Sequence, residues 1–465
     1  MATQTLPASA AWIVSTSLDK PDQETRRFIR SHVMRGKNTR ASRRARKVAA
    51  ANKADGRHTP EEDRNWVVTS PRRVASDLSL LGLEADIKPH MLDVIHRAFT
   101  FMKASQYSVE TALLGRKDQD FFCFSDLSRS PVMVHAMLFT TQAFLDGTRG
   151  RASSATYSQN TRYHLSETLR RLQETLNNDE TALKAPTMLV VCSLATAGLF
   201  LGDVVSASLH MDGLYKMVNL AGGLNALGRG TILEHKVQRL DFGLSLSDGR
   251  RVRFFRDDMN WGPHPTLSWG RRASRFPELS AVQPSPDPRL LIIWADMRGF
   301  SAAANQATEL GMKMPASLFA DITSSTTYRL THLDGLERGS LPELLRLCMM
   351  SMLKCILASV EGLGRHMKFL SQGLKAALLA QRAGGNDKVT HSPELSELLV
   401  WALFMTALAV FEDFDRDWIQ EMLQSEAAVL GLRSWSDTRA VLKKFLWVDF
   451  VFDGPAEQLF NDWLG

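Results

Sequence analysis

The chain has 465 residues, of which 44% are apolar and 23% charged, ordinary values for a globular protein with room for two or three domains. The net charge of +6 is unevenly placed: residues 26–57 hold 12 Lys or Arg and one acid, Asp55, while the remainder has 44 basic against 49 acidic side chains. A cationic leader on an acidic body suits import into the nucleus or loose contact with a polyanion.

Residues 1–75 read as a disordered arm. The first 18 residues carry no positive charge ahead of their weakly apolar stretch and do not read as a secretory signal. Within the basic segment 26–57, the run from Lys37 to Lys47, KNTRASRRARK, clusters cations as a nuclear-import signal does. Arg26 and Arg27 supply the minor half of a bipartite signal. The residues assigned to import or nucleic-acid contact are Arg26, Arg27, Lys37, Arg40, Arg43, Arg44, Arg46 and Lys47. A solvated segment without a partner is the bland alternative. Asn38, Ala41, Arg43, Arg44 and Arg46 also resemble the basic region of a leucine-zipper factor. The apolar heptads of a zipper do not follow, because Asp55, Gly56 and Pro60 occupy that space.

From residue 76 to 465 the pattern is helical, and the chain is expected to be all-α, an irregular multi-helix array. Pro89 opens a segment with Met91, Leu92, Ile95, Ala98, Phe99 and Met102 at helical spacing. Further helices are expected up to Gly147, over 162–176, 186–201, 206–220 and 231–248. Gly202 and Asp203 break the fourth of these elements, and Gly222 with Gly223 stops the fifth. The uncharged run 185–202 holds 18 residues but includes Pro186, Thr187, Ser193, Thr196 and Gly198. It reads as a buried helix, and no membrane contact is expected.

A loop insertion over about 248–287 breaks the periodicity, with a small hairpin expected near 250. It carries a basic and aromatic cluster: Arg250, Arg251, Arg253, Phe254, Phe255, Arg256, Trp261, Trp269, Arg271 and Arg272. Interleaved Arg and aromatic side chains can bind single strands or acidic partners, but a loop anchored by its aromatics is the first reading. Helices are then expected over 288–311, 315–333, 340–362, 365–383, 392–412, 415–430 and 436–448, with a short last piece ending at Trp463.

Reactive motifs are missing. The four cysteines, Cys123, Cys192, Cys348 and Cys355, are scattered without metal-ligand spacing and read as buried free thiols in a reducing compartment. Asp257 and Asp258 lack the further acid of a magnesium-holding pair, and Glu412, Asp413, Asp415 and Asp417 suit a helix start. The sequence holds no Gly-x-Ser-x-Gly, His-Glu-x-x-His, phosphate loop or dinucleotide fingerprint. No enzyme activity, cofactor or metal is expected, and His210 and Asp241 read as structural hydrogen-bonders.

Three features over residues 131–242 resemble the fungal-specific transcription factor domain, the middle-homology region of fungal regulators. A buried helix precedes Gly202 and Asp203; a helix with His210 and Lys216 runs into Gly222, Gly223 and Leu224; the next helix carries Lys236, Arg239 and Asp241. The tail from Leu442 to Trp463 looks like the end of such chains, so the resemblance spans about 90–460. It implies an all-helical regulatory body and a nuclear transcriptional regulator or co-regulator of a fungal metabolic or secondary-metabolite pathway. The implied partners are an import carrier and other transcription proteins, with nonspecific DNA contact; a dimer is left open. One departure is large. The six-cysteine zinc cluster of that family is missing, since no cysteine precedes Cys123, so DNA reading by that route is absent. A helical interaction scaffold without a DNA role, or an uncharacterised helical enzyme, stands as the alternative.

Overall fold

The structure is a computed structural model that describes residues 89–98, 108–114, 130–148, 157–255, 261–264, 287–357, 367–383, 392–410 and 416–464. The chain divides into two units, Met1–Ser70 and Pro71–Gly465, and every described residue belongs to the second. The expected arm, including Arg26, Arg27, Lys37, Arg40, Arg43, Arg44, Arg46 and Lys47, lies outside the described residues.

The described residues are all-α, with 16 α-helices and no strand. In chain order they are α1 Pro89–Arg97, α2 Ser108–Leu114, α3 Pro131–Thr148, α4 Gln159–Leu176, α5 Asp179–Ala182, α6 Ala185–Phe200, α7 Val204–Leu220 and α8 Ile232–Asp248. After the insertion come α9 Pro288–Glu309, α10 Ala316–His332, α11 Leu341–Leu357, α12 Lys368–Ala383, α13 Pro393–Val410, α14 Arg416–Leu430, α15 Trp435–Leu442 and α16 Asp449–Trp463.

Local chemistry sets the ends. Pro at the first turn opens α6 and α9, where the missing N–H has no helical partner in any case. Ser158, Asp203, Thr231, Asp287 and Ser434 cap α4, α7, α8, α9 and α15 with a side-chain oxygen on a first-turn N–H. Between α6 and α7, Gly202 adopts φ +75° and the Asp203 N–H returns to the Gly198 carbonyl at 2.8 Å. Between α7 and α8, Gly222 and Gly223 both have positive φ, and the Gly223 N–H closes on the Val218 carbonyl at 2.9 Å. Both stops are the left-handed closure that glycine permits without a Cβ clash.

Helices α3, α6 and α7 pack side by side, with α4 on the outer face of α3. In the second half α11 packs against α12 and α13, and α14 packs on α13. Helix α8 joins the halves, touching α6 and α7 on one side and α10 and α12 on the other. That position makes it buried nearly all round, including Glu234, Asp241, Ser245 and Ser247. Helix α13 is long and apolar enough to cross a membrane, but 72% of it is buried inside the protein. Its Trp401 meets Trp294 of α9 edge-on at 5.4 Å and donates from Nε1 to the Leu446 carbonyl at 3.0 Å. It is a core helix of this body.

Two expectations need correction. Residues 249–255 form no hairpin; they run without a ladder partner over α7 and α8. At the C-terminus, α15 stops at Leu442 rather than 448, and α16 is a 15-residue helix with Pro455 inside it. The chain between them buries Phe445, Leu446, Trp447 and Val448. Apolar side chains at the end of a helical period were thus core-filling in irregular backbone.

Candidate functional site

The residues carrying the family resemblance assemble around α6, α7 and α8, together with the strip 250–255. Asp203 caps α7 by accepting the Ser206 N–H at 3.0 Å, and its bonds to Ser206 hold its carboxyl below the usual range. His210, half-buried nearly two turns into α7, is held below its ordinary value by burial, with Asp203 opposing. At the start of α8, Thr231 accepts the Glu234 N–H at 3.2 Å while the Glu234 carboxylate accepts the Gly230 N–H at 2.6 Å. This reciprocal cap fixes the direction in which α8 leaves the turn.

Asp241 is completely buried, and its Oδ2 accepts the backbone N–H groups of Arg253 and Phe254 at 2.5 and 2.7 Å. Burial pushes this carboxyl up to about 6 against those two stabilising bonds. The bonds draw the strip onto α8, with Val252 and Phe254 inward and the arginines outward. Each described arginine there meets a carboxylate. Arg250 binds Asp248 and donates to Ser208 Oγ at 2.7 Å; Arg251 binds Asp334 at 2.5 Å; Arg253 binds Asp212 at 2.5 Å and lies 3.9 Å above the Tyr215 ring. Phe255 packs at a tilt on Tyr328, with ring centroids 4.5 Å apart. The basic and aromatic cluster therefore serves as a clasp between helices. Arg256, Trp269, Arg271 and Arg272 lie outside the described residues, as do Asp257, Asp258, Glu412, Asp413 and Asp415.

Beneath the strip is a small cavity lined by Glu110, His235, Gln238, Arg239, Phe254 and Thr323, among others. Arg239 of α8 pairs with Glu110 of α2, which is 3% exposed. Gln238 donates to Ser324 Oγ at 3.0 Å. The cavity measures about 20 Å³, room for a water and too little for a metabolite. One carboxylate neutralised by a guanidinium, beside one imidazole, offers no pair of opposed acid and base. Among the described residues no group of three or more His, Cys, Asp or Glu could hold a metal ion. Cys192, Cys348 and Cys355 are free and buried, and burial pushes the Cys192 thiol up to about 11 and raises Cys348 and Cys355 as well.

Comparison with protein-family models, with curated proteins and with solved structures finds no match.

Sequence reasoning brought Gly202, Asp203, Gly222 and Gly223 to their observed places at turns and read Asp241 as a structural hydrogen-bonder, but it did not join Asp241 to Arg253 and Phe254. It did not join Arg239 to Glu110, 129 positions away in α2, nor pair His210 with Asp241, which share no hydrogen bond. It also missed two buried polar pairs. Arg329 Nη2 binds Asp296 Oδ2 at 2.6 Å, with the two side chains 1% and 3% exposed, and Asp296 also accepts the His264 N–H at 3.0 Å. His135 Nδ1 of α3 lies 3.1 Å from His164 Nδ1 of α4. The one signal that could have found them is a lone charge in an apolar helical window, as with Asp296 in LLIIWADM.

Proposed function

We propose that this chain is a nuclear transcriptional regulator or co-regulator, whose helical body makes protein contacts and whose basic arm directs import. The observation that carries the reading is the charge asymmetry: 12 cations and one acid over 26–57, against a remainder with more acids than bases. Clustered cations on a leader pair with acidic grooves on a carrier or with phosphates. The resemblance to the fungal-specific transcription factor domain adds the regulatory assignment, on Gly202, Asp203, Gly222, Gly223, Leu224, Lys236, Arg239 and Asp241.

The clasp favours a division of labour. Arg250, Arg251 and Arg253 are occupied by carboxylates of the body, so polyanion contact falls to the arm and protein contact to the helices. A scaffold without any DNA role shares that body and differs only in what the arm does. The deciding experiment is a fluorescent fusion of the full chain with Arg43, Arg44, Arg46 and Lys47 changed to Ala. The reading expects nuclear signal for the parent and cytoplasmic signal for the variant. Nuclear retention of the variant removes the import role, and a chromatin profile of the parent without promoter occupancy leaves the scaffold.

A further inference from the structure

Exposed large apolar side chains on the described surface are mostly scattered, but α7 gathers three on one face. Val205 is 72% exposed, Leu209 67% and Leu220 74%. With Gly213 and the exposed Lys216 between them, they form a continuous stripe at spacings of about one helical turn. The opposite face, with Ala207, Met211, Leu214 and Val218, is fully used against the core. An apolar stripe this exposed on a helix of a packed body marks a contact surface.

The arrangement of the stripe says which partner fits. It is symmetric about a point between Asp212 and Gly213. A second copy of α7 laid antiparallel across that point sets Val205 against the partner's Leu220, and Leu209 against the aliphatic stem of the partner's Lys216. The crossing falls at Gly213, where a Cβ would meet nothing within 4 Å in its own protomer. With no side chain there, two helix axes can approach closely. Side chains on a helix lean toward its N-terminus, so each Lys216 ammonium leans toward the level of the partner's Asp212. The Asp212 side chain is 52% exposed even while paired with Arg253. Apolar contact, close approach and opposite charge therefore all recur under one twofold rotation, the condition for an isologous interface.

We infer that this protein self-associates as a twofold dimer through antiparallel α7 helices crossing at Gly213. The inference does not rest on the regulatory reading and uses no residue of the arm. One helix pair in contact over about 22 Å buries less than the roughly 1,200 Å² of a standard interface. The dimer is therefore weak, with a dissociation constant of about 10–100 µM, and forms when copies are concentrated locally.

Sedimentation equilibrium of the full chain over a concentration series tests it. The parent is expected to shift from monomer to dimer across about 1–300 µM. Leu209→Glu is expected to weaken dimerisation at least tenfold with an unchanged thermal midpoint. Gly213→Ala, whose new methyl touches nothing in the protomer, is expected to weaken it by holding the axes apart. Charge reversal then tests the register. Lys216→Glu alone and Asp212→Lys alone each juxtapose like charges in the homodimer, whereas their equimolar mixture restores two opposite-charge contacts and is expected to associate several-fold more tightly than either. A parent monomeric throughout, or a dimer untouched by Leu209→Glu, overturns the inference. A folded mixture that associates no better than its components overturns the antiparallel crossing.

Discussion

At the scale of single residues, the buried polar groups of this body serve as fasteners. Asp241 joins α8 to the strip 250–255 through two backbone N–H groups and carries a carboxyl raised from 3.8 to about 6 by burial. Because the folded value is the higher one, its protonation contributes stability that is fully present below pH 3.8 and lost as pH rises through about 6. Asp241→Asn keeps an acceptor and removes the charge. It is expected to flatten the pH dependence of the unfolding midpoint across that window. Asp241→Ala leaves two donors unsatisfied and is expected to cost about 2–4 kcal/mol in chemical denaturation. Equal destabilisation by Asn and Ala would remove the fastening role.

The His135–His164 contact works with the opposite sign. At 3.1 Å one Nδ1 donates and the other accepts, which requires at least one neutral ring and resists a second proton. Burial first and Arg171 next hold His135 below its ordinary value, with Glu167 opposing and Arg170 adding. Helix α6, packed on α3, presents no charged side chain. A depressed folded value means stability present above pH 6.5 and lost as pH falls below it. The fully buried face of α4 is Thr161, His164, Thr168 and Leu172, so little apolar area is there to hold the helix once the two rings repel. Acidification from pH 7 to 5 is expected to speed amide exchange over 159–176, corrected for intrinsic rates, and to do so less in His135→Phe.

At the scale of elements, two glycines inside helices make opposite demands. A Cβ on Gly198 of α6 would lie 3.0 Å from the Ala207 backbone nitrogen and 3.1 Å from the Asp203 oxygen, so α6 and α7 approach there only because it is absent. Gly198→Ala is expected to lose about 1–3 kcal/mol through overpacking, despite its better helix propensity. Gly213→Ala, with open space around it, is expected to gain about 0.5–1 kcal/mol in the monomer. Thermal melts of the two variants at low concentration should move in opposite directions. Sequence could not separate these two positions, because propensity is blind to the neighbouring helix. What it could read were starts and stops carried by local chemistry: Pro89, Asp203, the Gly222–Gly223 stop and Pro288 fall at observed helix ends. Helices α2 and α5 went unread, since seven and four residues are too short for a period. The Arg239–Glu110 and Asp296–Arg329 pairs went unread because each depends on two helices meeting far along the chain.

At the scale of the whole molecule, the sorting of charge is the governing feature. Within the described body, several cations are held by carboxylates: Arg439 bridges Asp449 and Asp453, Arg229 binds Asp321 and Lys444 binds Glu397. The basic segment 26–57 has one acid to 12 cations, so it cannot neutralise itself, and on the proposed reading a polyanion supplies the opposite charge. Nonspecific DNA affinity of the full chain should therefore fall linearly in a log–log plot against salt. Changing Arg43, Arg44, Arg46 and Lys47 to Ala should reduce that slope by about 3–4, since each phosphate neutralised by a cation adds about 0.9 to it. Changing Arg250 and Arg251, already held by Asp248 and Asp334, should leave the slope unaltered. Fluorescence anisotropy with a random duplex over a salt series reads both values. A slope that responds to the clasp rather than the arm would relocate the polyanion surface to the helical body.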